Sequence, residues 1–198
     1  KVGPAAIGLS ATDFWNYFTR DDGLGGWRTF GVVSNLTLAD GTPTLVQMTV
    51  DNAPGAWSTT SSDLMYRDYM YPLNGGNVTV TFFGLPDGKY SVLPYGGNSS
   101  FEVRVGGLSY GLKSAYDVTG SNPPIWTEGV QYVQFNDVVV DAGQPLVLIV
   151  RPGTDGYAVI SGLQMIQSSG SAGQPPFIVT QPSDKFAYPG ETVTLSVL

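Results

Sequence analysis

Phe101-Glu-Val-Arg-Val105 alternates apolar and charged side chains, so an extended chain puts Phe101, Val103 and Val105 on one face and Glu102 and Arg104 on the other. That is the pattern of a sheet with one wet side. Similar runs lie on either side of it: Thr44-Leu-Val-Gln-Met-Thr-Val50, Val78-Thr-Val-Thr-Phe-Phe83, Lys89-Tyr-Ser-Val-Leu93, Val130-Gln-Tyr-Val-Gln-Phe135, Leu146-Val-Leu-Ile-Val150 and Tyr157-Ala-Val-Ile-Ser161. Each is short, alternating or wholly apolar, and bounded by turn chemistry. The best helical candidate, Ala11 to Phe18, is under three turns and cannot make the crossovers of a parallel sheet. The sequence therefore predicts an all-β fold. A two-sheet antiparallel sandwich is expected over residues 1–166, with Val78, Val80, Phe82, Leu148, Val150 and Ile160 in its core.

Turn chemistry and composition agree with this. Asp-Gly pairs at Asp22, Asp40, Asp87 and Asp155 supply a glycine for positive φ and an aspartate that bonds its own backbone. The 198 residues are 42% hydrophobic, enough to bury a core, yet only 13% charged against about 25% in ordinary domains. A formal charge of −7 disfavours a sequence-independent grip on nucleic acid or an anionic membrane, since both need clustered cations. The chain has no histidine and no cysteine. Ser-His-Asp hydrolysis, thiol nucleophiles, disulfides and thiolate zinc sites are thereby excluded. No apolar stretch approaches the roughly 20 residues of a membrane helix, so membrane insertion is not expected. The chain opens on Lys1 and is read as a processed or excised piece of a longer protein.

Residues 167–176, Gln167-Ser-Ser-Gly-Ser-Ala-Gly-Gln-Pro-Pro176, form a small polar run that reads as a linker. Beyond it, Pro176-Phe-Ile-Val-Thr-Gln-Pro182 and Pro189-Gly-Glu-Thr-Val-Thr-Leu-Ser-Val197 resemble the opening strands of a bacterial immunoglobulin-like repeat. A complete sandwich of that kind needs about 100 residues, so 177–198 is read as an incomplete, strand-forming stub.

Over most of the remaining chain, several motifs resemble a galactose-binding-like jelly roll, the carbohydrate-binding-module type of domain found in large secreted bacterial multidomain proteins. They are Gly3-Pro-Ala-Ala-Ile-Gly8 with Asp13-Phe-Trp-Asn16, Gly26-Trp-Arg-Thr-Phe30, Ser62-Asp-Leu-Met-Tyr66 with Tyr69, Leu85-Pro-Asp-Gly-Lys-Tyr90 and Gly156-Tyr-Ala-Val-Ile-Ser-Gly-Leu-Gln-Met165. The resemblance implies a secreted or cell-surface, non-catalytic, sugar-binding module, in some cases with structural calcium. Such domains begin with a strand ahead of the Gly-Pro-Ala-Ala segment, and this chain starts after it.

Aromatic residues in polar loops are the candidate ligand contacts. Sugars stack their CH faces on indole and phenol rings while their hydroxyls bond nearby Asn, Asp and Arg. Trp57 and Trp126 lie in long polar loops, and exposed loops are where function concentrates on a rigid sandwich. Tyr66 and Tyr69 belong to Tyr66-Arg-Asp-Tyr-Met-Tyr71, while Tyr95 and Asn98 follow a strand end and are placed to line a cleft. Trp27 stands beside Arg28, whose guanidinium suits the carboxylate of an acidic sugar. The competing reading is that a sandwich needs large aromatics in its core; Trp15 belongs there. Asp21 and Asp22 are the candidate calcium ligands, although turn formation explains them equally well; no cofactor is otherwise required. A glycosidase needs two facing carboxylates. Glu191 lies in the stub and Glu102 on the outer face of a strand, so Glu128 with Asp117 or Asp137 is the only pairing worth testing, and an enzyme is not expected.

The sequence supports two functions. The first is a module that binds polysaccharide through loop aromatics. The second is a structural or adhesive, filament-type extracellular subunit that self-associates through Thr192-Val-Thr-Leu-Ser-Val-Leu198, whose alternation suits strand addition to a neighbouring copy.

Overall fold

A computed structural model describes residues 1–117, 125–141 and 143–168. The immunoglobulin-like segment, residues 169–176 of the linker and the strand at 192–198 lie outside the described residues. Lys1–Ser168 makes one compact unit.

The unit is almost entirely strand. In chain order the elements are β1 (Phe30–Val33), β2 (Gln47–Asp51), β3 (Gly55–Ser58), α1 (Leu64–Arg67), β4 (Asp68–Tyr71), β5 (Val78–Phe83), β6 (Gly88–Tyr95), β7 (Ser99–Val105), β8 (Leu108–Ala115), β9 (Phe135–Val140), β10 (Leu146–Pro152) and β11 (Gly162–Ser168). A six-stranded antiparallel sheet runs β1-β2-β5-β10-β7-β8 and a three-stranded one β11-β6-β9, with β3-β4 a separate hairpin. From β5 onward the chain changes sheet at every connection except β7 to β8. Sequence neighbours therefore face one another across the core.

That core is built by period-two alternation from both sheets. Val78, Val80 and Phe82 of β5, Phe101, Val103 and Val105 of β7, and Leu146, Leu148 and Val150 of β10 face Tyr90 and Val92 of β6 and Phe135, Val138 and Val140 of β9. Ile160 joins them from the loop after β10. All six residues expected in the core are there.

The strands differ from the expected runs at several places, β1, β3, β4 and β8 being additions to them and β2 beginning only at Gln47. Residues 130–134 form a turn and β9 begins only at Phe135, because Gly129 takes φ 81° and the Gln131 side chain accepts from the Thr127 amide at 2.9 Å, bending the chain back. Residues 157–161 form a loop, and β11 follows it. β11 also carries Gln167 and Ser168, paired with Tyr90 and Lys89, so the sheet runs past Ile166. The segment 11–18 is not helical; the helix is the single turn α1, whose N-cap Asp63 accepts from the Met65 and Tyr66 amides.

Glu102 shows how the wet face is managed. It points away from the core, as alternation requires, yet Arg104, Arg151 and Ser109 all donate to its carboxylate and cover it. Hydrogen bonds from Arg151, then Arg104 and Ser109, hold this carboxyl at about 2, against an ordinary 4.5. The sign follows from linkage: a depressed folded-state value contributes stability above pH 4.5 that is lost as pH falls toward 2. Glu102→Gln is expected to flatten the fall in stability across that window, as measured by urea unfolding at stepped pH. An unchanged slope would remove Glu102 from the acid response.

Candidate functional site

Three segments far apart in sequence meet at one end of the sandwich. The β3–β4 hairpin pairs Trp57 opposite Tyr69. The loop between β10 and β11 is tied to that hairpin by mutual Met70 and Ile160 backbone bonds, at 2.8 and 3.1 Å. The same loop is tied to the start of β7 by the Val159 amide, which donates to Ser99 Oγ at 2.7 Å, and by Thr154, whose amide and hydroxyl both donate to Asn98 Oδ1. Glycines permit this closeness. A Cβ on Gly153 would lie 1.7 Å from the Asn98 carbonyl oxygen, and one on Gly96 would lie 2.2 Å from that of Val159.

Between these segments lies an open cleft of about 240 Å³, lined by Trp57, Tyr69, Tyr71, Gly97, Asn98, Asp155, Tyr157 and Val159. Trp57 is 68% exposed, which for so large an apolar ring on a paired strand leaves a broad face free for contact. Tyr69 and Tyr71 tilt against each other at 6.1 Å, and Tyr157 meets Tyr71 edge-on at 5.8 Å. These tilted and edge-on contacts line the three phenols up as an aromatic wall. Burial raises the Tyr69 hydroxyl above its ordinary value, with Tyr71 adding to the effect, so it stays protonated and able to donate. Asn98 sits at φ 51°, a left-handed turn position that asparagine tolerates. It is only 5% exposed, and its Nδ2 has no hydrogen-bond partner.

Of the residues singled out from the sequence, Trp57, Tyr69 and Asn98 come together in this cleft. Tyr66 and Tyr95 do not. They are 1% and 0% exposed, so neither ring has a face to offer a ligand. The Tyr66 hydroxyl donates to Asp117 at 3.0 Å, and burial followed by that carboxylate drives its titration upward. Tyr95 accepts from the Ala6 amide and donates to Gln164 Oε1. Trp126 is half-buried and edge-on to both tyrosines, at 5.5 and 5.1 Å, capping this second core cluster where a free loop aromatic was expected. Trp15 joins the same cluster, its Nε1 donating to the Gly3 carbonyl.

Trp27 and Arg28 stand in another loop and do not line the cleft. The Arg20 guanidinium lies 3.9 Å over the Trp27 ring, and Arg28 Nη2 donates to the Asp21 carbonyl while its guanidinium packs on Phe18. Arg28 Nη2 is thereby engaged within its own loop, while Trp27 stays exposed away from the cleft. Asp21 Oδ1 accepts from the Gly23 amide, and Asp22 Oδ1 accepts from those of Leu24 and Gly26. The Leu24 and Gly26 amides hold the Asp22 carboxyl below its usual range. Such turn bonds account for both aspartates, and among the described residues no three acidic side chains converge as metal ligands. The carboxylates considered for hydrolysis are engaged separately: Asp117 by Tyr66, Glu128 by Lys113 and the Gln134 amide, Asp137 by Lys89.

Tyr71, the third phenol of the Tyr66–Tyr71 run, also lines the cleft, as do Asp155 and Tyr157, which sequence reasoning did not single out for it. The sequence pattern puts Tyr157 at the start of a strand. The signal against that placement is the Asp155-Gly156 pair directly before it, which makes Tyr157 the first residue after a turn.

No family model and no curated protein sequence matches this chain. A solved structure described as a PA14 sugar-binding domain from RTX adhesin is similar over 63% of this chain and 72% of that one, at 13% identity and a TM-score of 0.31. Among the described residues no helix is long and apolar enough to cross a membrane.

Proposed function

We propose that residues 1–168 form a non-catalytic carbohydrate-binding module of the galactose-binding-like kind, which docks a secreted or cell-surface protein on a polysaccharide. The observation that carries this reading is the exposed Trp57 indole beside a tyrosine-walled cleft floored by Asn98 and edged by Asp155. Aromatic faces for sugar CH groups and a few fixed polar groups for hydroxyls are what a glycan site needs. The cleft is smaller than the roughly 300–1,000 Å³ of enclosed small-molecule sites, which favours a ligand lying across it over one engulfed by it. It contains a single carboxylate, Asp155, where glycoside hydrolysis ordinarily requires two. Low charge and Gly- and Tyr-rich loops support an extracellular setting.

Retention of the protein and of its Trp57→Ala variant on a panel of immobilised polysaccharides tests the reading. The substitution is expected to cost about 2 kcal/mol of binding, roughly thirtyfold in Kd, as for a central aromatic anchor. Folding stability should change by no more than about 1 kcal/mol, because only one exposed cross-strand pair is lost. Equal retention of both proteins would discard Trp57 as the platform.

A further inference from the structure

We infer that this cleft selects a neutral glycan and rejects one bearing a carboxylate on the sugar held at Asn98 and Asp155. The inference rests on the glycan reading above and adds the class of sugar. Its ground is the chemistry of two side chains. The Thr154 amide can only donate, so the Asn98 atom that faces it is the oxygen, and the Thr154 hydroxyl donates to that same oxygen. The Asn98 orientation is thereby fixed. Its Nδ2 is turned away from Thr154 and left without an acceptor, in a residue 95% buried that forms part of the cleft wall. A buried amide donor without an acceptor is costly, and a ligand oxygen that reaches this nitrogen through a small shift of the cleft wall removes that cost.

Asp155, next in the chain to Thr154, lines the same cleft and is exposed. It offers acceptors only. A sugar hydroxyl can both accept and donate, so two neighbouring hydroxyls satisfy Asn98 and Asp155 together. A uronate carboxylate can accept from Asn98 but has no proton for Asp155 at neutral pH, and it meets a like charge there. No lysine or arginine lines the cleft to offset this. The second depression that Trp57 borders, with Ala56 and Ser58, carries another carboxylate, Asp68. The formal charge of −7 adds long-range repulsion of polyanions.

The test uses a matched pair of polymers: an immobilised polyuronate and the same polymer with its carboxyls chemically reduced, run with neutral plant, algal and bacterial polysaccharides at low and high salt. The protein is expected on neutral polymers and absent from the polyuronate. Asp155→Asn should raise polyuronate retention about tenfold, the effect of removing one like charge near a protein surface. Asn98→Asp keeps the acceptor for Thr154 and the left-handed backbone but removes the free donor. It should weaken neutral binding about tenfold, by the loss of one hydrogen bond. Should its thermal melt show that this variant unfolds, Asp155→Asn at its exposed site carries the test. If the polyuronate is retained as tightly as its reduced form, and Trp57→Ala abolishes both, the neutral selectivity falls while glycan binding stands. Retention on neither class overturns the glycan reading and this inference with it.

Discussion

Tyr95→Ala is expected to lower the unfolding free energy by about 3–5 kcal/mol, the range for removing a large aromatic from a well-packed interior. Tyr95 ends β6, is fully buried, and packs its ring against Trp126 and Tyr132. Its hydroxyl joins two parts of the molecule far apart in sequence, accepting from the Ala6 amide at 3.0 Å and donating to Gln164 Oε1 at 2.5 Å. Gln164 in turn donates to the Ile7 carbonyl, so one phenol helps fasten the opening segment to β11. Tyr95→Phe keeps the ring and loses only the hydroxyl bonds, so it should fall between, at about 1–3 kcal/mol for groups left unsatisfied. Urea unfolding of the three proteins measures the series. A cost below about 1 kcal/mol for the alanine variant would mean that the ring is accessible, and would return Tyr95 to the candidate ligand contacts.

The second large effect is expected at Gly153, where a single methyl group should damage both fold and site. Its Cβ would stand 1.7 Å from the Asn98 carbonyl oxygen and 2.4 Å from the carbonyl carbon, and backbone atoms cannot rotate aside as a side chain would. Either the loop after β10 or the turn before β7 must move. Overpacking of this kind costs about 1–3 kcal/mol and sometimes more. The displaced loop also takes Thr154 away from Asn98 and Asp155 away from the cleft. Gly153→Ala should therefore lose stability and glycan retention together, whereas Trp57→Ala loses retention alone. Calorimetry paired with affinity chromatography separates these patterns; a Gly153→Ala protein with native melting and native retention would show that the loop after β10 accommodates a methyl group without moving.

The fold was legible where packing and local pattern agree. Val78-Thr-Val-Thr-Phe-Phe83 alternates in sequence and is β5 in the structure, flanked on both sides by other strands so that nothing competes with its ladder. Legibility failed where one side-chain bond overrode propensity. The apolar run at 130–135 carries strand-forming residues, yet the Gln131 side chain bonding the Thr127 amide folds it into a turn. β8 was missed for the opposite reason. Leu108-Ser-Tyr-Gly-Leu-Lys-Ser-Ala115 has a glycine inside and little alternation, and as a largely exposed edge strand, with only Tyr110 and Ala115 against the core, it takes its order from pairing with β7.

The site divided along similar lines. Tyr66 and Tyr69 lie three residues apart in one polar-aromatic run, but Tyr66 belongs to the single turn of α1, which sends it into the interior, while Tyr69 lies on β4 beside the cleft. Composition marks such a run as aromatic without saying which ring faces water. Asn98 was found because a polar residue after a strand end is a turn position. That its nitrogen lacks a partner depends on Thr154, 56 residues further along the chain, and no local pattern encodes that distance.

The meeting of three distant segments at the cleft also governs when the cleft can exist. No stretch of the hairpin, the β6–β7 turn or the loop after β10 contains the site alone, so a nascent or partly unfolded chain presents none of it. Contacts this far apart in sequence form late, after the loops between them have closed. Ligand affinity is consequently confined to the native state, and by mass action a saturating glycan raises the melting temperature in proportion to the logarithm of its concentration over Kd. On the proposed function, a bound polysaccharide would thus protect residues 1–168 from heat and proteolysis while the two remain together.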